Sequence, residues 1–323
     1  MVFFDNYSLL HPTIRLKKMR LLKKRAPGKI LSKLTSFLIS YKINFKIART
    51  IDNKNIFSYS QNYISFNSAC IKAGGYFYKV ALNKGSNIRE EYVNYQMLKK
   101  YLINENILPQ LIFKGSNNVY IKMDILHPIE RTEFPSALNH IYASLSKFAS
   151  LRETHIDEQE NIKVALNFLK TLEHPEKITA IEKWVKIVFE KQFLIGLCHG
   201  DLHLRNIMKN DAGSYQIIDF DCVKKTGLLD LDVFNFMIEM ENLDSSADWR
   251  EQLIKFHDHL YESEKYKFYT GFIKMKKSEV VMLYFLERIG LNFKFYDASF
   301  DEALSRNIRV LDFFMEKINS EIN

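Results

Sequence analysis

The stretch that most restricts how this chain can fold lies between residues 193 and 221. An apolar run, FLIGLC (193–198), leads into a polar loop, HGDLHLRN (199–206). IMK (207–209) and YQIIDFD (215–221) then flank the turn cluster NDAGS (210–214). Asn, Asp, Gly and Ser tolerate tight backbone reversals, so the flanking runs are expected to pair as a short hairpin. Such a hairpin starts just after Asn206 and returns Asp219 to its neighbourhood. An amide carbonyl and a carboxylate converging on one point form a hard-oxygen site, which suits Mg2+ with a bound phosphate rather than zinc. Asp201, on the loop beside them, is placed to accept a proton from a hydroxyl.

The flanking regions differ in periodicity. IFSYSQNYISF (56–66), ACIKA (69–73) and YFYKVAL (76–82) read as three strands, the last two joined across Gly74-Gly75, a strong hairpin signal. NIREEYVNYQMLKKYL (87–102) puts Glu91, Tyr95 and Leu98 on one helical face, and LIFKGSNNVYIKMDIL (111–126) supplies two more strands around GSNN. Beyond residue 127 the pattern turns helical. PSALNHIYASLSKFASL (135–151) and NIKVALNFLKTL (161–172) are amphipathic, ITAIEKWVKIVFEKQF (178–193) follows Pro175, and the chain reads as helix again from about 243. The expectation is an α+β protein, with a small antiparallel sheet carrying one inserted helix and a larger, mainly helical second part. The aromatics of KFYTGFIKMKKSEVVMLYFLERIG (267–290), with Trp184 and Trp249, read as core.

A chain of 323 residues with 47% hydrophobic residues suits one two-lobed domain or two modest ones. Three scattered cysteines (Cys70, Cys198, Cys222) form neither a disulfide framework nor a zinc motif; Cys198 reads as a small buried hydrophobe. No apolar run has the length of a membrane span and the start lacks the order of a secretory signal, so the cytoplasm is the expected compartment. The net charge of +8 is uneven. Residues 6–51 hold 12 of the 46 Lys and Arg and no acidic residue, so the remainder, with 34 basic and 38 acidic residues, is net −4. The basic segment 15–39 has apolar residues at helical spacing, among them Leu16, Met19 and Leu22. It suits either an anionic membrane surface, on the inner face of the membrane, or packing on the protein's own body. Nucleic acid ranks last, because no aromatics interleave its basic part. Oligomeric state is not legible.

Lys79 stands between apolar neighbours in YFYKVAL, and Glu91 on the next helix could hold its ammonium, with Glu90 as the alternative. A metal, a base and a phosphate-cradling cation together are what phosphoryl transfer needs. Here the residues resemble a family. HGDLHLRN matches the HGDxHxxN loop of the aminoglycoside phosphotransferase family within the protein-kinase-like fold, and IIDFD its metal-binding strand end. YFYKVAL resembles its Lys strand, REEYVNYQML its Glu helix, and YIKMDIL the strand leading to its hinge.

The resemblance covers about residues 55–236. It implies a bilobal protein-kinase-like fold, with a basic arm (1–50), a nucleotide-binding N-lobe (51–126) and a helical C-lobe (127–323) for catalysis and acceptor binding. It implies ATP and Mg2+ as cofactors, Asp201 as catalytic base and Asn206 and Asp219 as metal ligands. Lys79, paired with Glu91, would contact the α/β-phosphates, and Met123, Asp124, Ile125 and Leu126 would frame the adenine. His199 would brace the loop, and Asp232 would receive its hydrogen bonds from below, with Asp230 as the competing choice. No GxGxxG covers the phosphates, which leaves that task to SFNSAC (65–70) through backbone amides and the side chains of Asn67 and Ser68. Arg205 stands beside Asn206, where it could meet an anionic acceptor or form a salt bridge. Asp232 follows Asp219 by thirteen positions, too few for a peptide-docking activation segment. The implied acceptor is a small-molecule or glycan hydroxyl. KKTGLLDLDVFNF (224–236) is similar to family members of cell-surface polysaccharide assembly, which favours a sugar or cell-envelope glycolipid. An aminoglycoside or choline-type amino alcohol is the enzymatic alternative, and a pseudokinase-like binding module the non-enzymatic one.

Overall fold

The computed structural model describes residues 60–64, 68–73, 75–81, 86–115, 119–170, 175–245, 248–296 and 301–322. The segment 1–50, with its 15–39 stretch read for either an anionic membrane surface or packing on the body, and Asn67 lie outside the described residues. The chain divides into two compact units. Among the described residues, one holds 60–97 and 109–126, and the other holds 98–108 and 127–322.

The first unit is built on a five-stranded antiparallel sheet. Its strands are β1 (Ser60–Ile64), β2 (Ser68–Ala73), β3 (Tyr76–Ala81), β4 (Leu111–Lys114) and β5 (Tyr120–Asp124), in the order β1-β2-β3-β5-β4. Ala73 faces Tyr76 across the β2–β3 turn, and Gly75 there has φ of 80°. Helix α1 (Ile88–Leu102) follows β3, with Glu90 and Glu91 in its first turn and Lys99 and Lys100 in its last. That charge order opposes the helix dipole and stabilises both ends. Ile88, Glu91, Tyr95, Leu98 and Leu102 are buried. Their spacing is that of one helical stripe, which carries a carboxylate among its apolar side chains.

The second unit is mainly helical. Its helices are α2 (Phe134–Ser146), α3 (Glu160–Leu169), α4 (Pro175–Phe189), α5 (Leu229–Asp244), α6 (Trp249–Lys255), α7 (Lys267–Thr270), α8 (Lys277–Tyr296) and α9 (Asp301–Ile322). Helix α8 packs along α3 and α5, with Phe285, Leu286 and Ile289 fully or almost fully buried. Trp184 is buried and Trp249 meets the rings of Tyr284 and Phe285, so both tryptophans serve packing.

Three segments depart from the periodicity. Helix α2 stops at Ser146 and Ser150–Glu153 forms β7, so FASL is not helical. Helix α4 stops at Phe189, and Gln192–Cys198 is strand β8, at the centre of a sheet ordered β11-β8-β7 with Lys224–Leu228 as β11. A short, continuous apolar run carries no period, and only its pairing partners decide its state. Helix formation also resumes at Leu229 rather than near 243, because every residue from Leu229 to Ile238 is buried and no polar face marks the helix. The expected hairpin forms from β9 (Ile207–Lys209) and β10 (Tyr215–Ile217), extended by β6 (His127–Pro128). No helix among the described residues is long and apolar enough to cross a membrane.

Candidate active site

In the first unit, β3 places Lys79 opposite Cys70 on β2 and Ile121 on β5. The Lys79 ammonium meets the Glu91 carboxylate at 2.7 Å, with only 15% and 5% of the two side chains exposed, whereas Glu90 is exposed. Burying a charge without a partner costs several kcal/mol, so each ion holds the other in place. Glu91→Ala is therefore expected to lower stability by about 3 kcal/mol in a denaturant titration. A loss below about 1 kcal/mol would mean that the ammonium is held mainly by other groups. Ser68 begins β2 and is buried. Met123 and Asp124 end β5, followed by Ile125 and Leu126; Asp124 is exposed and the other three are half-buried.

In the second unit, the loop after β8 is anchored from beneath. Asp232, near the start of α5 and 3% exposed, accepts hydrogen bonds from the backbone N–H of His199 at 2.6 Å and of Gly200 at 2.8 Å. Burial pushes its carboxyl up to about 6, while His199 and the two amides pull the other way. Asp230, the competing choice, instead accepts from the N–H groups of Lys274 and Met275. His199, fully buried, reaches the Ile218 carbonyl through Nε2 at 2.9 Å. Gly200 adopts φ of 77° and lies so close to the next segment that a Cβ would sit 2.0 Å from the Cys222 carbonyl oxygen.

The hairpin closes the site. The Ile218 N–H donates to the Asn206 carbonyl at 2.9 Å, which brings the start of the hairpin beside its end. Asp219 lies two residues beyond β10, exposed, with φ of 67° and ψ of 76°. It is one of two non-glycine residues with positive φ among the described residues, the other being Asn106. A non-glycine residue held there is uncommon and marks a backbone constrained by its surroundings. Asp219 and Asp221 bring carboxylate oxygens within 4.8 Å of each other. Asn206 donates through Nδ2 to the Asp201 carbonyl at 3.0 Å, which leaves its Oδ1 as an acceptor. An amide oxygen and neighbouring carboxylates are the donor set of a hard divalent cation, so these residues fit Mg2+.

Asp201 is half-buried and held by three side chains. Its Oδ1 accepts from Arg288 on α8 at 2.6 Å and from Asn235 at 3.5 Å, and its Oδ2 lies 3.6 Å from His203 Nε2. Burial alone would raise its carboxyl, but the Arg288 charge and the His203 contact outweigh burial and hold it well below the usual carboxylate range. Asp201 is thus an ionised acceptor at neutral pH, aimed by fixed partners.

Three solved structures superpose on most of the chain. Choline kinase LicA from Streptococcus pneumoniae does so with a TM-score of 0.53 at 14% identity, covering 86% of this chain and 99% of its own. A choline/ethanolamine kinase family protein from Mesorhizobium loti gives 0.54 at 11% identity, with 87% and 94% covered. The ADP-bound aminoglycoside phosphotransferase APH(2'')-Ib gives 0.51 at 13% identity, with 84% and 96% covered. The chain has the protein-kinase-like fold of the choline kinases and aminoglycoside phosphotransferases. No protein-family model and no curated protein sequence matches it.

Within this protein-kinase-like fold, two of the side chains around Asp201, Asn235 and Arg288, lie outside the HGDxHxxN motif, and His203 within it carried no expected role. Asn235 donates to the Leu202 carbonyl at 2.9 Å and accepts from the Tyr284 hydroxyl at 2.6 Å, which orients its amide toward Asp201. Burial raises the Tyr284 hydroxyl, so it stays a donor. A signal for the pair on α8 was present in sequence. Glu287-Arg288 interrupts the apolar run VVMLYFLERIGL (280–291), and two charges there need partners in a folded core. Cys198 is buried, and its thiol is raised by burial, as suits a packing residue. Arg205 is exposed, and its N–H donates to His203 Nδ1 at 3.2 Å.

Proposed function

We propose that the protein is an ATP-dependent phosphotransferase acting on a hydroxyl of a small molecule. The observation that carries this reading is the assembly around one loop: an ionised Asp201 aimed by Arg288 and Asn235, beside the oxygen donors of Asn206, Asp219 and Asp221. The fold supports it, since a choline kinase and an aminoglycoside phosphotransferase share it. Asp201 accepts a hydrogen bond from the acceptor hydroxyl and directs its lone pair at the γ-phosphorus of ATP. A bond forms from the acceptor oxygen to that phosphorus as the bond to the β,γ-bridging oxygen breaks. ADP leaves with the electron pair, and the hydroxyl proton passes to Asp201 and then to solvent. A carboxylate held so far below its usual range is a weak base, which suits a loose transition state that needs positioning more than early proton removal. Asn206 and Asp219 would hold Mg2+, which neutralises phosphate charge when bound. Lys79, held by Glu91, would pair with the α/β-phosphates, Ser68 would help cover them, and Met123 to Leu126 would frame the adenine. His199 and Asp232 hold the loop in shape.

The favoured acceptor is a sugar or a cell-envelope glycolipid. Amino alcohols and aminoglycosides form the second class, favoured by the likeness to a choline kinase and an aminoglycoside phosphotransferase. The test is acceptor-dependent ADP release with Mg-ATP across sugars, amino alcohols, aminoglycosides and extracted envelope glycolipids. Asp219→Asn, which removes one ligand charge, is expected to raise the Mg2+ concentration for half-maximal rate about tenfold or more and to lower the maximal rate. An unchanged Mg2+ requirement would remove Asp219 from the metal site.

A further inference from the structure

The two oxygens of Asp201 are not equally committed. Oδ1 accepts from Arg288 at 2.6 Å and from Asn235 at 3.5 Å, whereas Oδ2 has His203 Nε2 beside it at 3.6 Å. That separation is beyond a hydrogen bond, so Oδ2 is the oxygen left to take the acceptor's hydroxyl proton. The tautomer of His203 is set from its other side. The backbone N–H of Arg205 donates to His203 Nδ1 at 3.2 Å. Nδ1 therefore bears a lone pair, and the neutral ring carries its proton on Nε2. A solvent-accessible N–H donor thus stands beside the base, with 18% of the His203 side chain and 26% of the Asp201 side chain exposed. Resting on the proposed phosphotransferase reading, we infer that His203 is a catalytic residue. Its Nε2–H donates to an oxygen of the phosphoryl group as that group passes to the hydroxyl held by Asp201 Oδ2.

The phosphoryl group in transfer spreads its charge over three equatorial oxygens, around the line from acceptor to leaving oxygen. A donor beside the base oxygen, and not bonded to it, faces the flank of that line, where those oxygens lie. The cations that flank the loop are committed elsewhere: Arg288 to Asp201, Lys224 to Glu287 and Lys209 to Glu133. His203 supplies a donor that none of them offers. Its neutral form also matters. An imidazolium at this distance would pair with Asp201 and draw the carboxylate away from the hydroxyl, whereas a neutral N–H leaves Oδ2 open. The ring is held in advance as well. His203 has extended backbone, with φ of −146° and ψ of 173°, and its Nδ1 caps the 204–206 turn that leads to Asn206. A donor fixed before the reaction needs no reorganisation as charge develops on the phosphoryl oxygens.

Two substitutions separate the capping nitrogen from the donating one. His203→Asn keeps an acceptor where Nδ1 stands, and Asn caps turns well, but it has no donor at the place of Nε2. His203→Gln puts an amide N–H near Nε2 and gives up the cap. The probe is Mg-ADP with aluminium fluoride, a mimic of the phosphoryl group in transfer, titrated by calorimetry with thermal unfolding as the folding control. Hydrolysis of Mg-ATP, with water as acceptor, gives a rate that needs no identified substrate. Wild type is expected to bind Mg-ADP about tenfold or more tightly when aluminium fluoride is present. His203→Asn should lose that gain, keep its affinity for Mg-ADP alone, and slow hydrolysis about 100-fold. His203→Gln should keep the gain within about threefold and the rate within about fivefold. The reverse ranking, with Asn active and Gln impaired, would make the ring a cap alone and overturn the inference. Equal loss in both variants, or no gain from aluminium fluoride in a wild type that binds Mg-ADP, also overturns it and leaves the kinase reading to the acceptor panel. Wild type that binds no Mg-nucleotide removes both.

Discussion

Asp201→Asn is expected to slow acceptor-dependent transfer by about 100- to 10,000-fold, the usual effect of losing a positioned acid–base group. The substitution keeps the size of the side chain and the backbone carbonyl that Asn206 holds. What it removes is the anionic acceptor for the hydroxyl proton. It also strips Arg288 of its carboxylate partner, and an uncompensated buried cation lowers stability by about 2–4 kcal/mol. Activity and stability can therefore be separated. A double variant, Asp201→Asn with Arg288→Gln, should recover much of the lost stability and none of the lost rate. Single-turnover measurements with Mg-ATP and denaturant titrations check the two arms. A single variant that keeps more than a tenth of wild-type turnover would exclude Asp201 from the chemistry.

Gly200→Ala is expected to destabilise the protein by about 3–5 kcal/mol, as the sum of a left-handed backbone penalty and overpacking. At φ of 77° a side chain is strained whatever the space around it, and here the added Cβ would lie 2.0 Å from the Cys222 carbonyl oxygen. That neighbour is backbone, so no rotamer relieves the clash; either the loop lifts or the 220–222 turn moves. Lifting the loop breaks the hydrogen bond from the Gly200 N–H to Asp232. Thermal unfolding should fall by roughly 10 °C, given about 2–4 °C per kcal/mol for a chain of this size. A shift under about 3 °C would show that the 200 and 222 segments separate freely.

Local pattern carried much of the first unit. Alternating apolar residues define β2, β3, β4 and β5, and the 3.6-residue stripe through Ile88, Tyr95 and Leu98 defines α1. Each of these elements has one face against a core and one away from it, and that contrast writes a period into the sequence. The hairpin after Asn206 was legible for a different reason, since NDAGS can do little but turn. Where both faces are buried the contrast disappears. Strand β8 and the first ten residues of α5 are apolar or sequestered all round, so their state depends on what packs against them.

The spacing from His199 to Asp219 was determined by the sequence, and with it the set of oxygen and nitrogen groups that one loop and one hairpin can bring together. Which charges surround Asp201 was decided only in three dimensions. Arg288 lies 87 positions from it and Asn235 lies 34. The partners of a buried ion are chosen by which helices pack together, here α8 and α5. No local rule links a loop to a helix so far along the chain, whereas an unpaired charge in a core is costly enough that the fold must supply a partner.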